Sequence, residues 1–175
     1  GMGGHNAGEV ASELACRQVA AFVEKSKPND DPKKVLSQAF ALADEAIKSA
    51  SRKNADQSGM GTTATTLLLY PGQLAFAHIG DSRLYRLRNQ RLEQLSEDHT
   101  LVYQMVVKGE IAKSEMNTHP KKNVLLQALG TTSSPRVQVE CLPLNPADKF
   151  FLCSDGVYDA ISEAELEQLM MMENP

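Results

Sequence analysis

Lys149-Phe150-Phe151-Leu152-Cys153-Ser154-Asp155-Gly156-Val157-Tyr158-Asp159 is an apolar run that ends abruptly in a carboxylate and a glycine. Phe150 to Cys153 show no polar alternation, which predicts a strand covered on both faces. Asp155 then stands at its carboxyl end, where layered folds expose functional groups. Gly156 lets the backbone turn sharply behind Asp155, and Asp159 follows about one helical turn later. An aspartate so placed can hold a hard cation. Taken alone, Ser-Asp-Gly is also read as an ordinary turn in which the carboxylate accepts local backbone N–H groups.

The pattern occurs twice. Leu74-Ala75-Phe76-Ala77-His78-Ile79 is a second apolar run and ends in Gly80-Asp81-Ser82-Arg83. Two carboxylates at the rim of one layer repel each other unless a proton or a cation lies between them, and all-oxygen ligands select Mg2+, Mn2+ or Ca2+. Asp81 and Asp155 are therefore expected within one cation's reach of each other.

Outward from these runs, residues 7 to 25 and 32 to 52 carry apolar side chains at helical spacing, with Pro32 suited to a first helical turn. Residues 61 to 70 are rich in strand formers, and Pro71-Gly72 turns them into the Leu74 run as a hairpin. Arg83 to Arg88 alternates and pairs with Arg91 to Leu95, so its arginines are expected in solvent and these strands form an antiparallel meander. Ser96-Glu97-Asp98-His99 is predicted to cap a helix from Thr100 to Lys108. Residues 110 to 123 are polar and predict a surface excursion; 137 to 142 form another strand, and Ser162 with Glu165 makes a capping box for a last helix.

At 175 residues the chain is about one domain's worth, and its 42% hydrophobic and 23% charged residues are those of a soluble globular protein. A net charge of -4 without a Lys/Arg stripe argues against nucleic acid, and no apolar run approaches the length of a membrane span. Cys16, Cys141 and Cys153 lack CxxC spacing, so free thiols in the cytoplasm are expected rather than disulfides or zinc.

Five ordered motifs carry a resemblance: Gly1-Met2-Gly3-Gly4-His5, Gly59-Met60-Gly61-Thr62-Thr63, Ala77 to Arg83, Ser96 to Thr100, and Cys153-Ser154-Asp155-Gly156. In order and spacing they resemble the bacterial-type protein phosphatase 2C family of metal-dependent serine/threonine phosphatases. The resemblance implies an α+β fold, two antiparallel β-sheets in a sandwich flanked by helices, over a single domain from 1 to 175 with a flap at about 97 to 134. It implies a binuclear Mn2+ or Mg2+ centre, with a third ion in some members. Carried over, Asp155 ligates the second metal, Asp81 a third, the Gly1 carbonyl the first, and Asp159 is an outer acidic residue. His5 stands where it could protonate the leaving group; no substrate-binding residue is assigned. The implied reaction is hydrolysis of phosphoserine or phosphothreonine in proteins by a metal-activated water, opposing a Ser/Thr kinase.

The family also has a metal-bridging aspartate immediately before the position of Gly1, an upstream arginine that grips phosphate, and a later Asp-Asn motif. The chain is accordingly expected to be a middle piece of such a domain, weak or inactive by itself and open to association through sheet edges. The alternative is a non-catalytic regulatory or phosphoprotein-binding module on the same fold.

Overall fold

Ala7, Ala11, Ala15 and Val19 recur one helical turn apart and form the buried face of α1, His5–Lys25. Their small side chains let α1 lie close against α2, Pro32–Lys53, whose Leu36, Ala39, Phe40, Ala43 and Ile47 are fully buried in the same cluster. The start of α2 is fixed locally: Pro32 occupies the first turn, and the Asp31 carboxylate accepts the Lys33 N–H at 3.0 Å. The computed structural model describes residues 1–2 and 5–172, without the side chains of His5 and Asn6.

Under the helix pair lies a three-stranded antiparallel sheet in the order β1-β2-β5, where β1 is Ala64–Tyr70, β2 Gln73–Ile79 and β5 Gln138–Pro143. A second antiparallel sheet has the order β4-β3-β6, with β3 Arg83–Arg88, β4 Arg91–Gln94 and β6 Lys149–Cys153. The alternation along β2 explains the layering. Ala75, Ala77 and Ile79 face the helices, whereas Leu74 and Phe76 pack with Leu84 and Phe150 between the sheets. Each such Leu, Ile or Phe contributes about 1.5–3 kcal/mol by leaving water. The last helix, α5 (Glu163–Met171), rests on β3 and β4 and buries Leu166. Its capping box forms as the sequence predicts: the Glu165 N–H donates to Ser162 Oγ at 3.2 Å, and the Ser162 N–H to Glu165 Oε2 at 2.8 Å.

The two-sheet sandwich agrees with the fold class implied by the resemblance, and it corrects the meander read from turn chemistry. β2 and β3 are consecutive yet belong to different sheets, because the chain crosses over at Gly80, whose φ is +111 and whose added Cβ would lie 2.3 Å from Thr63 Cγ2. A second correction concerns β6. It is an edge strand bonded to β3 alone among the described residues, and Leu152 is 43% exposed. The strand buried along both faces is β2, the central one.

Residues 97 to 134 leave and rejoin this frame. They contain α3, Leu101–Val107, and a 3-10 turn, Lys113–Thr118. Bridges Thr100 to Leu125 and Thr62 to Leu129 hold the base of the excursion, and the Gly130 N–H donates to Asp44 Oδ1 at 2.8 Å. From 107 to 124 Met116 is the buried residue. The helix cap here is Thr100, whose Oγ1 accepts the Tyr103 N–H at 3.2 Å; Ser96 to His99, expected as the cap, serve other bonds.

Candidate metal and phosphate site

Strand register brings the two strand-end aspartates together. β3 and β6 run antiparallel with Arg83 opposite Cys153 and Leu84 opposite Leu152. The ladder ends at that pair, and the segments that leave it carry Asp81 and Asp155 to one cleft. The chain then enters a short helix, α4 (Asp155–Tyr158), and the Asp159 N–H donates to the Asp155 carbonyl at 2.9 Å, which returns Asp159 to the same rim. Asp81, Asp155 and Asp159 line one cleft of about 30 Å3, room for about one or two waters or a bare ion.

The electrostatics fit a cation. Burial raises the pKa of Asp81 above the ordinary carboxylate value, and the charge of Asp155 raises it further. A divalent ion between them would relieve that repulsion, and hard carboxylate oxygens are its ordinary ligands. The three carboxylates share a wall without converging on one point: among the described residues no group of three or more His, Cys, Asp or Glu side chains is arranged to hold a metal ion.

Gly1 is exposed beside Gly8 at the start of α1 and is not among the residues that line this cleft. The His5 side chain, assigned by resemblance as a proton donor, lies outside the described residues, although its backbone begins α1.

Most of what surrounds the carboxylates carries no local signal in the sequence. Arg83, expected in solvent, is buried: its Nε donates to both Asp98 oxygens at 3.0 and 3.1 Å, one terminal nitrogen to Asp98 Oδ2 at 2.6 Å, and the other to the Tyr85 hydroxyl at 3.0 Å. Burial acts to lower the Arg83 pKa, but the bonds and charge of Asp98 outweigh it and hold the guanidinium firmly protonated. Asp98, expected as a helix cap, is instead 4% exposed and also accepts the Gln94 amide at 2.8 Å. Arg88, with its side chain still 25% exposed, pairs with Asp148 through two bonds of 2.7 Å. The physical reason is common to both: an arginine facing out from a strand gains more from a two-pronged carboxylate partner than from water when a neighbouring segment covers it.

Above the Arg83 guanidinium lies the Tyr158 ring, 3.7 Å from its centroid, and the Tyr158 hydroxyl donates to the Asp81 carbonyl at 2.9 Å. Burial, then the charge of Asp81, pushes the Tyr158 pKa up, so this hydroxyl remains a donor. The 97–134 segment reaches the rim through Lys122, whose ammonium lies 3.1 Å from Asp159. Behind Gly80 sits His78, 0% exposed. Its Nε2 lies 3.1 Å from the Gly80 carbonyl and 3.0 Å from the Glu97 carbonyl, and its Nδ1 is 2.9 Å from Thr65 Oγ1. Two carbonyl acceptors assign the proton to Nε2, so Nδ1 accepts from Thr65. His99 completes the support by accepting the Gly80 N–H at Nδ1, 3.1 Å away.

The model of the family described as protein phosphatase 2C matches residues 1–172. The serine/threonine phosphatase stp of Listeria monocytogenes serotype 4b (strain F2365) is 38% identical over 173 residues, which are 97% of this chain and 69% of that protein. The serine/threonine protein phosphatase PstP of Mycobacterium tuberculosis (strain ATCC 25618 / H37Rv) is 37% identical over 175 residues, 99% of this chain and 34% of that protein. Among solved structures, the M. tuberculosis serine/threonine phosphatase PstP/Ppp superposes with a TM-score of 0.91 at 33% identity, covering 98% of this chain and 72% of that one. The catalytic domain of PstP in complex with two manganese ions superposes at 0.88 with 31% identity, covering 98% and 71%. With motifs, sandwich and strand-end carboxylates in agreement, the chain belongs to the bacterial protein phosphatase 2C family.

Proposed function

We propose that this protein hydrolyses phosphoserine and phosphothreonine in protein substrates, with Mn2+ or Mg2+ as cofactor. The observation that carries the reading is the shared cleft of Asp81, Asp155 and Asp159 on a chain of this family. When bound, two such ions supply an activated water and neutralise phosphate oxygens.

The chain's own residues do the rest. Asp155 is exposed at the cleft mouth, with one oxygen accepting the Gly156 N–H at 2.9 Å and the other without a hydrogen-bond partner among the described residues. Asp81 is half-buried and held by its backbone carbonyl, so its carboxylate can turn toward the same ion. Asp159, tied to Lys122, places a further carboxylate at the outer rim. His5 keeps the role that the resemblance gives it, a proton donor to the leaving group; the Gly1 carbonyl, which the resemblance gives to the first metal, would act from outside this cleft.

The segment from 97 to 134 is read as a flap beside the cleft, since Lys122 and Asn123 line it. An opposing Ser/Thr kinase is the partner that this reaction calls for. Cys16, Cys141 and Cys153 are free thiols, the chemistry of a reducing cytoplasm. No helix among the described residues is long and apolar enough to cross a membrane.

The test is Mn2+-dependent phosphate release from a phosphothreonine peptide, with Asp155→Asn alongside. Loss of release in the variant is expected. Equal, measurable rates would remove Asp155 from the metal site, and a folded protein that neither releases phosphate nor binds Mn2+ would favour the regulatory module.

A further inference from the structure

We propose that Tyr158 is a positioning residue for the metal site, with Arg83 and Asp98 as its base, and that it fixes the Asp81 backbone relative to Asp155. The inference rests on the reading of Asp81 and Asp155 as metal ligands.

Three segments meet at this point. Asp81 lies on the crossover between the sheets, Arg83 begins β3, and Tyr158 closes α4, which Asp155 begins. The β3–β6 ladder stops at Arg83 and Cys153, so beyond that pair no ladder bond holds the separation of Asp81 and Asp155. The bond from the Tyr158 hydroxyl to the Asp81 carbonyl, 2.9 Å, spans this gap. It ties the backbone of one aspartate to the helix of the other.

Tyr158 itself is held from below. Its ring packs 3.7 Å over the Arg83 guanidinium, and that guanidinium cannot swing because Asp98 and Tyr85 take its donors. Asp98 is fixed in turn by Gln94. Side chains that ligate metals work through such outer supports, which set the orientation of the ligands. Here the support acts on the ligand's main chain.

Tyr158→Phe keeps the ring on Arg83 and removes only the hydroxyl. One hydrogen bond of ordinary strength corresponds to about fivefold in Mn2+ affinity. Arg83→Lys keeps the charge but loses the fork to Asp98 and the flat face under Tyr158, and the expected weakening is about tenfold or more.

The experiment titrates Mn2+ into the protein, following free Mn2+ by electron paramagnetic resonance, and measures the metal-free thermal midpoint of each variant. A merely structural role lowers the midpoint and leaves affinity unchanged; the positioning role weakens Mn2+ binding in Tyr158→Phe, measured at a temperature where both proteins are folded, whether or not the midpoint falls by the few degrees that one lost hydrogen bond costs. Asp155→Asn separates the two levels of inference. If Asp155→Asn abolishes binding and Tyr158→Phe binds as the unsubstituted protein does, the positioning proposal is overturned and the site stands. If Asp155→Asn binds Mn2+ unchanged, the site reading itself fails, and the proposal with it. Should Arg83→Lys not fold, Tyr158→Phe alone decides.

Discussion

His78→Gln should flatten the acid side of the stability profile by about 2 kcal/mol between about pH 7 and about pH 5. The imidazole is 0% exposed, and burial first, then the nearby His99, lowers its pKa from 6.5 to about 4. The His99 ring centroid is 5.1 Å away. Because the folded value lies below the unfolded one, the unfolded chain binds the proton first as pH falls from about 6.5 to about 4. The stabilisation is therefore complete above the unfolded value and is lost toward the folded one.

Each pH unit in that window costs about 1.4 kcal/mol, so about 1.5 units to pH 5 cost about 2 kcal/mol, and the full window about 3 kcal/mol. The cost comes from burying charge. Protonated Nδ1 could still donate to Thr65, whose hydroxyl has the Ser82 carbonyl 3.4 Å away as its next acceptor.

Asp81, raised by burial and by Asp155, contributes with the opposite sign, but it is present in both proteins and cancels in the comparison. The chain has no tryptophan, so urea unfolding is best followed by far-ultraviolet circular dichroism at several pH values. Glutamine should cost about 1–3 kcal/mol at pH 7 through imperfectly paired carbonyls. An unchanged pH slope in the variant would refute the burial argument.

Asp98→Asn should lower stability by about 3–5 kcal/mol by leaving the Arg83 charge buried without its partner; thermal unfolding reads this, and a loss under about 1 kcal/mol would contradict the paired geometry. Gly130→Ala should cost about 2 kcal/mol or more, since φ is +87 and the new Cβ would lie 2.3 Å from Ile47 Cγ2 and 2.7 Å from the Met60 carbonyl; a neutral result in urea unfolding would contradict it. Limited proteolysis should cut between 107 and 124, where exposed residues surround the single buried Met116, before it cuts α2; first cleavage inside α2 would be the contrary outcome.

The helices and hairpins were legible because their signals are local. Pro32 after Asp31, Pro71-Gly72, and Ser162 with Glu165 each act within a few residues, and the structure has α2, the β1–β2 hairpin and α5 at those places. Sheet membership was not local. Nothing in Gly80-Asp81-Ser82 distinguishes a tight turn within one sheet from a crossover to another; the difference lies in Thr63 and His99, which pack on Gly80 from far along the chain. The apolar run at 150–153 misled for a related reason, since a strand of the second sheet needs one apolar face toward Leu84 and tolerates Leu152 at an open edge.

The strand-end aspartates could be read from the sequence, whereas the residues that position them could not, and register accounts for both facts. A carboxylate just beyond an apolar run announces itself by contrast with what precedes it. Whether two such carboxylates face each other depends on which residues of β3 and β6 pair. A slip of one residue would set Arg83 opposite Leu152, displace Asp155 relative to Asp81, and move every β6 side chain to the other face. Phe150 between the sheets, packed with Leu84, forbids the slip, so the core that stabilises the sandwich also sets the separation of the site's charges. Arg83 is where the two demands meet. It is the first β3 residue in the ladder, and its side chain carries the order of the strand pair outward to Asp98 and Tyr158, beyond the last backbone bond.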